Sequence, residues 1–267
     1  MATETAAAQV TRLDLRERRR SLIFYPLGLA VYALIIVALY PTFKDDSGLA
    51  SLSEDNSTLM ALFGASGSLT SPVGWVNANL YTNFVPLIIL LVTIGYGASA
   101  LAGQNENGIL GLIATLPVSR AQLVVAKIAA MGTLAVPVSA ATFVCVLVGR
   151  SFELPIGIGA LIGVTVAIVL LGLVFGVLSL AVGAATGSRG SALGITAALA
   201  TACYLISSLA PAITWVHQIR FVSPFWWATG AGQLGTGVGL GDFAALVGTI
   251  LVLIAVAIAA ARRMDIR

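Results

Sequence analysis

The chain has 267 residues, of which 58% are hydrophobic and only 9% are charged. Soluble domains carry roughly 25% charged residues, because their exterior must be solvated. This composition excludes a soluble enzyme, a disordered chain and a nucleic-acid-binding domain, and the net charge of +3 is too small to indicate a polyanion partner. The two cysteines, Cys145 and Cys203, lie in apolar stretches and the chain has a single histidine, so we expect neither a disulfide framework nor a metal site.

Six apolar stretches are each about 20 residues or longer, which is enough to cross a bilayer as a helix. They lie at Ser21–Tyr40, Leu80–Leu101, Ala121–Val148, Pro155–Thr186, Ser191–Trp215 and Phe243–Ala261. The first stretch ends in Tyr40-Pro41 rather than in a small-residue cleavage site, so we interpret it as a retained helix. The sequence thus predicts an all-α, polytopic integral membrane protein.

The predicted organisation has three parts. Residues 1–20 form a basic N-terminal helix, residues 21–261 a six-helix transmembrane domain, and residues 262–267 a short C-terminal tail. Inside the domain we expect a long outer loop at 41–79, a cytoplasmic loop at 103–120 and an outer segment at 217–242. A short helix is expected within the outer loop at Leu59–Phe63.

The positive charges are distributed unequally between the two sides of the predicted membrane domain. Lys and Arg near the ends of spans are retained on the cytoplasmic side. One side carries eleven of them: Arg12, Arg16, Arg18, Arg19, Arg20, Arg120, Lys127, Arg189, Arg262, Arg263 and Arg267. The other side carries only Lys44, Arg150 and Arg220, together with the four tryptophans, which we expect at the outer interface. Both termini and the loop at 103–120 are therefore predicted to be cytoplasmic, in a multi-pass protein of the cell membrane.

Several chemistries lack the residues they need. No G-x-x-x-x-G-K-[ST] pattern surrounds Lys44 or Lys127, the only two lysines, so the chain has no P-loop for ATP hydrolysis. The predicted spans contain no Asp, Glu or His, and Lys127 is their one charge. This pattern counts against an ion-coupled carrier and an intramembrane hydrolase, both of which usually need ionisable groups at depth.

The N-terminal segment is rich in arginine. Residues 9–20 contain helix formers, a possible Asp14–Arg18 pair at i,i+4, and a thin apolar stripe at Val10, Leu13 and Leu15. Its basic residues include Arg12, Arg16, Arg19 and Arg20. Two interpretations remain open: a helix that lies on anionic headgroups, or arginines that only set the topology.

The cytoplasmic loop at 103–120 contains a short apolar helix. Gly108 permits a turn, Ile109–Leu116 has apolar residues at helical spacing, and Pro117 ends the run. Ser119 and Gln122 then form a capping-box pattern at the start of the third stretch. The apolar side chains of this helix, Ile109, Leu112, Ile113 and Leu116, must meet either the membrane surface or another protein.

Two of the stretches have informative patterns. The fifth places Thr196, Thr201, Tyr204, Ser207 and Ser208 on one broad side, and isoleucines and leucines on the other. The polar side is either a packing face or the lining of a translocation path. The fourth stretch has glycines at spacing four, which predicts close packing against other helices. These glycine pairs are Gly159/Gly163, Gly172/Gly176 and Gly183/Gly187.

These motifs together resemble the permease subunits of type-2 ABC exporters. The resemblance covers essentially the whole chain. It is carried by Glu106-Asn107-Gly108-Ile109-Leu110, Leu116-Pro117-Val118-Ser119-Arg120, Lys127, Ser223-Pro224-Phe225 and the ending Arg262-Arg263-Met264-Asp265-Ile266. The chain departs from the usual pattern at Ile109, where the family usually has Thr, and at Gln104 and Asn105, where it often has acidic residues.

The resemblance implies a role for each of these segments. Ile109–Leu116 would be the coupling helix seated on an ATPase, with Glu106, Gly108, Pro117 and Arg120 supporting it. The basic N-terminal helix would be the interface helix beside it. Phe221–Leu240 would be a helical hairpin dipping into the outer leaflet, and it contains Ser223, Pro224, Phe225 and Trp226.

The resemblance also implies partners and an activity. The chain would pair with a second permease, identical or paralogous, and with two separate ATP-binding subunits that hold ATP and magnesium, while binding no cofactor itself. It would export an amphipathic or hydrophobic substrate such as a drug, a peptide or a lipid-like molecule by alternating access. The alternatives are a non-transporting assembly or scaffold protein of the membrane, and a membrane-embedded enzyme.

Overall fold

The computed structural model describes residues 11–48, 68–109, 119–230 and 232–264, and all regular structure in these ranges is helical. Six of the helices are long and apolar enough to cross a membrane, which confirms the predicted fold class. They are span 1 (Arg19–Phe43), span 2 (Pro72–Glu106), span 3 (Arg120–Phe152), span 4 (Ile158–Thr186), span 5 (Arg189–Leu209) and span 6 (Leu240–Arg263).

Spans 2 and 5 differ most from the predicted bounds. Span 2 begins at Pro72 because the Ser71 hydroxyl caps it, accepting from the Gly74 N–H at 3.1 Å. Two π-helical turns interrupt span 2, Asn77–Tyr81 near its start and Ser99–Gly103 near its end, and the span continues to Glu106. Span 5 ends at Leu209, and the expected continuation to Trp215 is replaced by a separate short helix. The helix expected at 59–63 lies outside the described residues.

Local capping sets the remaining boundaries at the loops. The predicted capping box starts span 3, since Ser119 Oγ accepts from the Gln122 N–H at 3.2 Å and Gln122 Oε1 accepts from the Ser119 N–H at 3.0 Å. Span 4 ends at Thr186, and the next residue, Gly187, has a φ of +66°, which suits a residue without a side chain. Ser188 then caps span 5, accepting from the Ser191 N–H at 3.3 Å. This short connection makes spans 4 and 5 antiparallel neighbours, as predicted.

Span 4 is the central helix of the bundle, and spans 2, 3, 5 and 6 all pack against it. Glycines allow the closest approaches. A β-carbon on Gly97 would overlap the carbonyl oxygen of Gly176, and one on Gly172 would overlap Ile89. The buried Ser179 hydroxyl donates to the Ile94 carbonyl at 3.0 Å across the same contact. The predicted role of Gly172 and Gly176 in close packing is confirmed, whereas Gly159 has open space around it.

The connection between spans 5 and 6 consists of short helices, Thr214–Ile219, Pro224–Thr229 and Gln233–Thr236, and of a 3-10 turn, Arg220–Val222. Ser223 and Phe225 anchor this connection to the bundle. The Ser223 hydroxyl donates to the Cys203 carbonyl at 2.6 Å, and the Phe225 ring lies 5.7 Å and 5.6 Å from the rings of Phe175 and Tyr204. Pro224 is buried at the start of its helix, and Trp226 is half-buried.

Spans 1 to 3 are tied together at the same end of the bundle as this connection. Trp75 is buried and its indole N–H donates to the Ile36 carbonyl at 2.9 Å, so it joins the start of span 2 to span 1. Lys44, just after span 1, forms an ion pair with Glu153. The hydrogen bond with Glu153 raises the pKa of Lys44. We call this the outer end and the opposite one the inner end.

The glycine contact between spans 2 and 4 can be tested directly. Gly97→Ala should lower the free energy of unfolding by about 1–3 kcal/mol, because an overpacked core must shift backbone. Gly159→Ala is the matched control in span 4, since its new methyl group meets open space. Thermal unfolding of both variants in detergent measures the difference, and equal stability would show that the helices separate without cost.

Candidate functional site

The N-terminal helix is bound to the inner end by three polar side chains on one of its faces. Residues 11–17 are helical, and Thr11, Asp14 and Arg18 follow at spacings of three and four. The Thr11 hydroxyl donates to the Ala126 carbonyl at 3.2 Å. Arg18 donates to the Ser99 hydroxyl, and its guanidinium carbon lies 5.0 Å from the centre of the Tyr96 ring.

Asp14 is at the centre of a buried polar cluster. Lys127 of span 3 is fully buried, and its Nζ lies 2.9 Å and 2.8 Å from the two carboxylate oxygens of Asp14. The Tyr96 hydroxyl donates to Asp14 Oδ2 at 2.6 Å. Gln104 accepts from Lys127 at 3.0 Å and donates to Asp14 at 3.4 Å. These four residues, Asp14, Tyr96, Gln104 and Lys127, are called the Asp14–Lys127 cluster below.

The cluster overturns the expected Asp14–Arg18 pair, because the Asp14 carboxylate bonds to Lys127 instead. A buried ammonium requires a nearby counter-charge, since desolvation in a low-dielectric interior is costly. The sequence carried one signal of this, the single charge inside the predicted spans. It did not identify the partner, because nothing in the spacing distinguishes Asp14 from Glu17 or Glu106.

The arginines of the predicted interface helix point away from the cluster. Arg12, Arg16, Arg19 and Arg20 are all exposed. Of the apolar stripe expected from the sequence, Leu13 is 59% exposed, whereas Leu15 is half-buried and packs against the core, so the helix is attached by its polar face together with Leu15. That these exposed basic side chains contact headgroups or a partner stays a prediction.

The loop at 103–120 is anchored at both of its ends. At its start, Glu106 Oε1 accepts from the backbone N–H of Arg189 at 2.8 Å, where the N-terminus of span 5 favours a negative charge. At its end, Arg120 Nη1 donates to the carbonyls of Ala261 and Met264 at 2.7 Å and 2.6 Å, where span 6 ends. Both contacts join parts of the chain that are far apart in sequence, so the loop is coupled to spans 5 and 6 as well as to spans 2 and 3.

Only the first part of the predicted coupling segment is described. Gly108 has a φ of +70°, which confirms the turn expected there, and Ile109 is 42% exposed. Leu112, Ile113, Leu116 and Pro117 lie outside the described residues. A cleft of about 870 Å³ lies beside the loop, between the inner ends of spans 2, 4 and 6, and its lining includes Glu106 and Arg263.

A second cavity, a groove of about 610 Å³, lies between spans 2 and 5. Leucines and other apolar side chains line most of it, and Thr82, Asn83, Thr201 and Tyr204 add polar groups. The Tyr204 hydroxyl donates to Asn83 Oδ1 at 2.6 Å, which joins the two spans. We call this cavity the span 2–span 5 groove.

The groove divides the predicted path residues into two groups. Thr201 and Tyr204 line it, whereas Thr196 and Ser208 are buried in the packing of span 5 and Ser207 is half-buried. Asn83 was missed by the sequence analysis because it lies inside an apolar stretch with no motif around it. The assignment of these residues to a translocation path remains a prediction.

The described residues contain no group of three or more His, Cys, Asp or Glu side chains that could hold a metal ion. The expectation that this chain binds no cofactor is a prediction that this observation leaves open.

Comparison with known proteins identifies the family. The family model described as ABC-2 family transporter protein matches residues 8–266, nearly the full length of the chain. No curated protein matches the chain. The matched region includes the six spans, the N-terminal helix and the anchored loop, which agrees with the resemblance found in the sequence motifs. This chain therefore belongs to the ABC-2 family of transporter proteins, as a multi-pass membrane permease.

Proposed function

We propose that the chain is the permease subunit of an ATP-driven exporter that moves an amphipathic or hydrophobic substrate out of the cell. Two separate ATP-binding subunits supply the work, and a second permease, identical or paralogous, completes the pathway. The chain itself hydrolyses no ATP. Membership of a transporter family favours this proposal over a scaffold protein or a membrane-embedded enzyme.

The observation that carries the proposal is the anchoring of the loop at 103–120. Its start is joined to span 5 through Glu106, and its end to span 6 through Arg120. A subunit that pushes on this loop would displace spans 5 and 6 together with spans 2 and 3, which the loop connects. Such an arrangement suits a chain that receives mechanical work at one site and changes the packing of its helices.

The span 2–span 5 groove supports a translocation role. Its walls are mostly apolar, as an amphipathic or hydrophobic substrate requires, and its polar groups at Asn83, Thr201 and Tyr204 could orient a polar end of that substrate. Leu87 and Leu91 on its rim are 58% and 51% exposed in the single chain. A second permease packed against this rim would close the groove and bury these side chains.

The coupling role predicts that Leu112→Asp separates ATP hydrolysis from transport or releases the ATP-binding subunit. Burial of an apolar side chain of this size against a partner contributes about 1.5–3 kcal/mol, and a carboxylate in its place would be desolvated. Co-purification, ATP hydrolysis and transport of the reconstituted complex measure the effect. Leu112→Met is the matched control and should behave as the unmodified chain; a Leu112→Asp complex with full transport would place the contact elsewhere.

The groove predicts a specificity change for Thr201→Leu. The larger side chain should change the ratio of the export rates of a large and a small substrate by about tenfold, which is the discrimination that a single methylene group gives in a binding pocket. Ala198→Leu places a leucine at an exposed position of span 5 outside the groove lining, and should leave this ratio unchanged. Transport assays with a panel of substrates give the ratio, and equal effects of both substitutions would remove the groove from the pathway.

The orientation is predicted by the charge distribution and can be tested by labelling. A cysteine introduced by Ala50→Cys should react with an impermeant thiol reagent in intact cells, whereas Thr115→Cys should react only after the cells are opened. The opposite pattern would invert the protein in the membrane.

A further inference from the structure

The Asp14–Lys127 cluster joins the N-terminal helix, span 2 and span 3 through their side chains. Asp14 comes from the N-terminal helix, Tyr96 and Gln104 from span 2, and Lys127 from span 3. All three partners bond to the same carboxylate at 2.6–3.4 Å. Removal of that one carboxylate would therefore weaken the connection between the N-terminal helix and both spans.

The contacts surround an irregular part of span 2. Tyr96 precedes the π-helical turn Ser99–Gly103, Ser99 lies within it, and Gln104 follows it. Asp14 accepts hydrogen bonds from Tyr96 before the turn and from Gln104 after it. Arg18 donates a hydrogen bond to Ser99 within the turn. π-Helical turns often occur at functional sites, where they interrupt the regular helix ladder. The N-terminal helix therefore braces the segment of span 2 that leads directly into the loop at 103–120.

Stability alone is a poor explanation for this arrangement. A buried ion pair is often no more stabilising than well-packed apolar side chains of similar volume, although loss of only one partner is costly. The pair does require a defined geometry, because Lys127 is fully buried and no solvent can take the place of Asp14. A pair of this kind is suited to holding helices in one relative position.

We propose that Asp14 and Lys127 are positioning residues for transport, which lock the N-terminal helix, the base of the loop at 103–120 and spans 2 and 3 into one rigid unit. The inference rests on the proposed function and adds a role for the N-terminal helix. Movement imposed on the loop then displaces spans 2 and 3 together, because the π-helical turn cannot flex while it is braced. Without the brace, the same movement is absorbed in span 2.

The test uses variants of the full chain, reconstituted with its ATP-binding subunits. Lys127→Met alone leaves a buried carboxylate and is expected to fold poorly. The double variant Asp14→Asn with Lys127→Met leaves no buried charge. We expect it to insert, retain the ATP-binding subunits and hydrolyse ATP, while the number of molecules transported per ATP falls about tenfold, within the range for disrupted coupling networks.

The matched control removes the other ion pair of the described residues. Glu153→Gln removes the ion pair with Lys44 at the outer end, which is exposed and contributes little to stability. It should leave transport per ATP unchanged. A double variant with unchanged transport per ATP would show that the cluster has only a structural role.

A measurement without changes to the cluster keeps the inference testable even where the double variant fails to fold. Spin labels at Leu13→Cys and Val125→Cys, both exposed positions, report the separation of the N-terminal helix from span 3. This distance should be the same with and without ATP bound to the partner subunits, and a change on ATP binding would overturn the rigid unit. Failure of the proposed function would give a different result from failure of the rigid unit. In that case the unmodified chain would neither bind ATP-binding subunits nor show ATP-dependent transport.

Discussion

The buried ammonium of Lys127 constrains the inner end of this protein. Lys127 is fully buried. Loss of one partner of a buried ion pair lowers the free energy of unfolding by roughly 3–5 kcal/mol, because the remaining charge is desolvated without a counter-charge. Asp14 satisfies that charge from outside the six-helix bundle. The N-terminal helix therefore has a fixed position, to which Leu15 contributes by packing against the core, whereas Leu13 is largely exposed.

The same physical rule explains the other contacts around the loop at 103–120. Helix ends carry unpaired backbone groups and partial charges, so they bind side chains of opposite sign. Glu106 meets the N-terminus of span 5 and Arg120 the C-terminus of span 6. The loop at 103–120 is thus joined to three helices through charged groups: to the N-terminal helix by the Asp14–Lys127 cluster, to span 5 by Glu106 and to span 6 by Arg120. The inner end behaves as a framework in which the position of the loop and the positions of the helices are linked.

The middle of the bundle depends on packing instead of charge. In a membrane, helices gain little from burying apolar side chains that lipid would cover equally well, so close backbone approach becomes important. Gly97, Gly172 and Gly176 provide that approach around span 4. The tightly packed centre leaves span 5 mostly exposed, with a groove open beside it. A rigid centre with a lightly packed flank is compatible with helices that change their contacts during transport.

The sequence by itself determined the fold class, the number of spans, the capping box at Ser119 and the turn at Gly108, because each depends on local composition or on residues a few positions apart. Its motifs also indicated the family.

The tertiary structure decided the partner of Lys127, the anchors of Glu106 and Arg120, and the division of the polar residues of span 5 between packing and groove. These contacts join residues from distant parts of the chain, such as Asp14 and Lys127, and charge or hydropathy along a sequence does not specify which of several eligible partners lies within reach. The early start of span 2 was missed for a related reason, since Asn77 and Asn79 interrupt the apolar run, and the first turn before them packs against span 1 through Trp75.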